Sequence, residues 1–169
     1  EPMFDSVANI MNCQFYSIKA RGAGAILNPS IKLLSSRAKS MRGDYNSRRN
    51  SAFRIIGNSF ESISSSSGAL LYWTSEFRGT YLVSQDNRFN GISCSGDGGL
   101  IFAQYLLPVG GSSNLTPATY FTLISKNDLI TTISGTLSGG VIYAKGRTES
   151  FNITLTNMSL SDVECHGDG

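Results

Sequence analysis

Apolar and polar residues alternate along most of this chain with the period of two that marks strands, not the 3.6 of helices. The pattern predicts strands at Cys13–Lys19 and Ser51–Ile56, and an apolar run at Leu70–Trp73. That run leads into Phe77–Ser84, where Phe77, Tyr81 and Val83 share a face. Leu100–Leu107 is apolar on both faces, as a central strand is, and Thr119–Ile124 is rich in Thr and aromatics. Val141–Ala144 and Phe151–Thr156 read as a hairpin through Lys145-Gly146-Arg147, with Phe151, Ile153 and Leu155 facing a core. Turn residues stand at Arg21–Gly24, Asp86-Asn87 and Asn90-Gly91. Pro29–Leu34 predicts a short helix, and Ser64–Gly68 a flexible surface loop or a helix end. After Asn157 the phase switches, which predicts a bulge or a strand end. No internal repeat and no dividing linker stands out, so residues 1–169 read as a single all-β domain of seven or eight strands, a β-sandwich or jelly roll.

Composition narrows the function classes. Charged residues make up only 15% of the chain, below the typical quarter, so much of the surface is expected to lie against neighbours. The most apolar stretch, Gly98–Gly111, is too short to span a bilayer, and the start lacks the basic and apolar regions of a signal peptide. A chain that opens on Glu1 without an initiator Met is expected to be a processed product. Cys13, Cys94 and Cys165 are too widely spaced for a metal pattern; they are either three reduced thiols or one free thiol beside a Cys94–Cys165 bridge.

Charge is unevenly placed. Lys32, Arg37, Lys39, Arg42, Arg48, Arg49 and Arg54 stand against Asp44 alone, in a chain whose net charge is only +2. The cluster can neutralise phosphates or sit on a solvated face. With only Tyr45 and Phe53 nearby, base stacking there is not expected.

Catalytic chemistry lacks its usual groups. The single histidine, His166, is four residues from the end, and Cys165-His166 is too isolated for a metal site. No nucleophile elbow, phosphate loop or carboxylate pair stands out, so an enzyme is not expected, nor a cofactor or metal. Arg42-Gly43-Asp44 spells an integrin-type tripeptide, and sequons begin at Asn114, Asn152 and Asn157, in a composition where such matches arise by chance.

Three segments together resemble the coat proteins of picorna-like plant viruses (comovirus, nepovirus and cheravirus relatives). Leu71–Val83 is similar to the segment that opens strand E of their jelly roll, and Gly98–Gly111 to the glycine-led strand F. Tyr120–Ile130 would then be strand G, and Gly140–Ser159 strands H and I. The resemblance covers roughly Ser51 to Asp162. It implies an eight-stranded jelly-roll sandwich with short helical loops. It also implies a structural subunit that assembles with other coat proteins into an icosahedral shell, in the virion and away from membranes. The seven basic residues become candidate contacts for genomic RNA or for neighbouring subunits, and Trp73, Tyr72 and Phe77 become core. An extracellular β-sandwich adhesin or pilus-type subunit is the alternative, favoured by the sequons and a Cys94–Cys165 bridge.

Overall fold

The computed structural model describes residues 6–28, 51–75, 80–105, 121–146 and 151–167. Fifteen strands lie among them: β1 (Ser6–Met11), β2 (Gln14–Tyr16), β3 (Ser51–Ile56), β4 (Ser59–Ser65), β5 (Leu71–Ser75), β6 (Thr80–Gln85), β7 (Arg88–Cys94), β8 (Ile101–Tyr105), β9 (Phe121–Lys126), β10 (Leu129–Ile130), β11 (Ile133–Thr136), β12 (Ile142–Lys145), β13 (Phe151–Thr156), β14 (Ser159–Leu160) and β15 (Val163–Cys165). No helix occurs among the described residues. The expectation of an all-β fold therefore holds for the described residues, and β3 has the predicted bounds.

The pairing differs from a jelly roll. Every pairing between these strands is parallel, whereas jelly rolls are antiparallel. Sheet A runs β1-β3-β6-β9-β13; sheet B contains β2, β4, β7, β10, β11, β14 and β15; sheet C runs β12-β8-β5. The chain visits A, then B, then C, and returns to A one strand further along. Five such rungs begin at Ser6, Ser51, Thr80, Phe121 and Phe151. This is a parallel β-solenoid, in which each rung packs on its neighbours. The expected hairpin of Val141–Ala144 with Phe151–Thr156 is not formed: β12 pairs with β8, and β13 with β9.

A repeat underlies the coil. At the corner from B to C, Gly68-Ala69-Leu70-Leu71, Gly98-Gly99-Leu100-Ile101 and Gly139-Gly140-Val141-Ile142 recur, and Gly24-Ala25-Ile26-Leu27 matches them in the first rung. Glycine opens this motif for a geometric reason: Gly98 has φ +67°, and a Cβ there would lie 2.3 Å from the Ile101 carbonyl oxygen. Along sheet B the motif is Phe60-Glu61-Ser62-Ile63, Phe89-Asn90-Gly91-Ile92 and Ile130-Thr131-Thr132-Ile133.

Stacking of like on like builds the core. Phe15, Phe60 and Phe89 form one column, with successive ring centroids 4.9 Å apart and planes within 7°. Ile63, Ile92 and Ile133 form the next column and are fully buried. Trp73 fills the corner opposite, against Phe121 and Phe151. Tyr81 and Val83 do share a face, but it is the outer one; Thr80, Leu82 and Ser84 face inward. Phe151, Ile153 and Leu155 point inward as expected, in register with the inward Phe121, Leu123 and Ser125.

Candidate functional site

The corner between sheets A and B is a two-residue turn in all five rungs: Asn12-Cys13, Gly57-Asn58, Asp86-Asn87, Asn127-Asp128 and Asn157-Met158. The first residue of each turn is left-handed, with φ between 52° and 66°. Asn, Asp and Gly tolerate that region best, which is why they occupy it.

The second position carries a buried ladder. Asn58 and Asn87 donate and accept along the stack, and Asp128 ends it. Asn87 Nδ2 donates to the Ile55 carbonyl at 2.8 Å, Asp128 Oδ1 at 3.0 Å and Ser84 Oγ at 3.1 Å. Asn87 Oδ1 accepts from Asn58 N at 2.9 Å and from Asn58 Nδ2 at 3.0 Å. Asp128 also accepts from the Asn87 backbone N–H at 2.9 Å and from the Ser125 hydroxyl. Asn58, Asn87 and Asp128 are all at most 2% exposed, so these bonds satisfy groups that water does not reach.

The first position carries an exposed ladder. Asn157 Nδ2 donates to Asn127 Oδ1, and Asn127 Nδ2 to Asp86 Oδ1, each at 2.9 Å. The Asn127 and Gln85 amides hold the Asp86 carboxyl below its ordinary value, with Lys126 adding attraction against a small desolvation. A lowered folded value contributes stability above the ordinary carboxylate range and loses it as pH falls through the folded value. Wild type should therefore lose more stability than Asp86→Asn between neutral and acid pH. Urea midpoints at both pH values check this, and equal losses would remove Asp86 from the account.

Gly57 interrupts the exposed ladder. With no side chain there, a polar recess of about 330 Å³ opens between Asn12, Gln14, Ser59, Asp86 and Arg88. It can take a small polar molecule or water. Among the described residues, no group of three His, Cys, Asp or Glu could hold a metal ion.

A second row of functional interest lies on the outer face of sheet C, where Tyr72, Phe102 and Tyr143 stack at 4.8 and 5.3 Å. Tyr72 thus lies outside the core, contrary to expectation, while Trp73 lies within it.

Of the seven basic candidates, Arg54 sits exposed on the outer face of β3. Lys32, Arg37, Lys39, Arg42, Arg48 and Arg49 fall outside the described residues, as do Arg42-Gly43-Asp44, Pro29–Leu34, Phe77 and Asn114. Their segment joins the sheet C end of the first rung to β3 in sheet A. The connections 76–79, 106–120 and 146–150 join the same two sheets in later rungs. The B-to-C corner differs by one residue between the second and third rungs, so the long insertions fall on the C-to-A connections. No disulfide joins any two of Cys13, Cys94 and Cys165. Cys94 is on β7 and Cys165 on β15, with β11 between them. Two rung spacings, roughly 9.6 Å, exceed the reach of a disulfide.

Sequence reasoning missed both ladders. The signal was present as Asn, Asp or Gly pairs recurring ahead of each sheet B motif. Compared with protein-family models, curated proteins and solved structures, the chain matches none.

Proposed function

We propose that this chain is a structural and binding module of adhesin type: a stiff β-solenoid that carries recognition on the connections gathered at its C-to-A corner. The observation that carries this reading is the contrast between corners. The A-to-B turn keeps two residues in every rung, while the C-to-A connection ranges from four residues at 76–79 to fifteen at 106–120, and in the first rung residues 28–50 stand between the Leu27 bridge and β3. A scaffold held constant with variable loops at one edge is how binding surfaces are commonly built.

The coat-protein reading leaned on an antiparallel strand order, and parallel pairing removes that support. Its strand E and F segments contain β5 and β8, which are neighbours in sheet C. A role as an icosahedral subunit with other coat proteins and RNA gains nothing from the five-rung coil. The adhesin alternative no longer needs a sandwich or a Cys94–Cys165 bridge. Exposed Asn152 on the outer face of β13 leaves one of its sequons sterically open.

The basic segment gives the proposal its chemistry, because it occupies the first of the corner connections. Its partner is an acidic polymer. Heparin-column and fluorescence binding at 50 and 200 mM salt test this. Arg48→Ala with Arg49→Ala should weaken binding and reduce the salt slope by about 2, one for each arginine removed. A wild-type chain that does not bind at 50 mM salt would sink the reading.

A further inference from the structure

Among the described residues, the first and last rungs of the coil present the cross-section of a rung. On the last rung, Ile153 is 37% exposed, Leu155 51%, Leu160 54% and Val163 37%, although the equivalent residues of inner rungs are buried. Repeat arrays need polar terminal caps to stay apart, and neither end has one among the described residues.

We propose that the last rung receives the first rung of a second copy of this chain, so that copies stack head to tail. Three observations on the two ends select that occupant.

The first is apolar matching. Continuing the register by one rung places Leu155 against Ile10, Leu160 against Phe15 and Val163 against Ile18 of the second copy. Each repeats a column already present: Ile10 pairs with Ile55, Phe15 with Phe60, and Ile18 lies beside Ile63.

The second is the direction of the exposed ladder. Each amide nitrogen donates to the rung before it, from Asn157 to Asn127 and from Asn127 to Asp86. Asn157 thus turns its oxygen toward the open end. At the other end, Asn12 turns Oδ1 toward Gly57, 2.6 Å from where a Cβ would sit there, so its amide nitrogen faces outward. A donor on the first rung faces an acceptor on the last.

The third is charge. Lys19 bridges to Ser64 and heads a row that continues through Ser93 and Ser134. Glu164 follows Val163 on the last rung, opposite the register shift at Ser134 and Gly135, with its side chain 63% exposed and 3.8 Å from His166. Stacking Val163 on Ile18 brings the adjacent Glu164 of one copy near the adjacent Lys19 of the next. Such an interface is heterologous and does not close on itself, so it yields linear assemblies.

Sedimentation velocity of the 169-residue chain across a hundredfold concentration range tests this, with circular dichroism confirming the fold of each variant. The wild type should show a growing series of assemblies. Lys19→Glu or Glu164→Lys alone should weaken association about fivefold or more, since attraction becomes repulsion. Mixing the two variants should restore it, because each mismatched end then meets its complement. Leu160→Asp should abolish self-association, while a small proportion added to wild type shortens the assemblies by capping them. A folded wild type that stays monomeric throughout, or association untouched by Leu160→Asp and by both charge reversals, would overturn the proposal.

Discussion

Replacing Asn87 by alanine should lower the stability of the fold by about 3 to 5 kcal/mol, the largest effect expected of any single polar side chain here. The substitution removes the donor that serves the Ile55 carbonyl, Ser84 and Asp128, and the acceptor that serves Asn58. Those partners stay buried. Each buried polar group left without a partner costs about 1 to 3 kcal/mol, and the smaller side chain also leaves space in the corner. Because Asn87 stands in the middle rung, the loss reaches both neighbours. The control is Asn157→Ala, which removes one exposed bond to Asn127 and should cost less than about 1 kcal/mol. Urea unfolding of both variants decides the matter. Similar losses for the two would mean that the buried ladder is not what holds the corner.

Phe60→Ala should cost about 4 kcal/mol. Phe60 is 1% exposed and lies between Phe15 and Phe89 in the sheet B column. Truncation of a buried Phe removes its transfer energy and leaves a cavity, about 3 to 5 kcal/mol together. The two stacked ring pairs lift it above the lower end of that range. Phe60→Leu keeps most of the volume and should cost about 1.5 kcal/mol or less. The fourth and fifth rungs already use Ile130 and Leu160 in that column, so an aliphatic residue is tolerated there. Thermal unfolding of the two variants separates volume from stacking. A Leu variant as unstable as the Ala variant would show that the aromatic stack, not the filled volume, is the requirement.

How far the fold was legible in the sequence depends on the element. Phe151–Thr156 alternates cleanly, Ser51–Ile56 is apolar at four of its six positions, and both are strands with the expected bounds. Leu100–Leu107 read as buried on both faces, and Phe102 on the outer face is indeed 8% exposed. Strand direction was not legible. Alternation is the same for parallel and antiparallel partners, and Lys145-Gly146-Arg147 between two apolar runs has the look of a hairpin turn. The repeat was hidden because rungs start at Ser6, Ser51, Thr80, Phe121 and Phe151, and unequal connections disguise the common unit. The strands of sheet B were obscured by left-handed residues in mid-strand, Ser62 in β4 and Gly91 in β7, which shift the alternation. Asn90-Gly91 therefore read as a turn, although it lies within a strand.

The candidate site was less legible than the fold. Asp86-Asn87 was visible as a turn. Its role in two ladders needed Gly57-Asn58 and Asn127-Asp128 at the same corner, and those pairs are far apart in the chain. The basic cluster was visible from charge alone, and of its members only Arg54, exposed on β3, lies among the described residues.

The most direct test of the five-rung coil is the pattern of nuclear Overhauser effects in an isotope-labelled sample. The account predicts backbone cross-peaks linking Arg54 to Val83, Val83 to Ile124 and Ile124 to Thr154, in the amide-to-Hα pattern of parallel strands. Close Hα-to-Hα cross-peaks between Val141–Ala144 and Phe151–Thr156, the mark of an antiparallel hairpin, would contradict it.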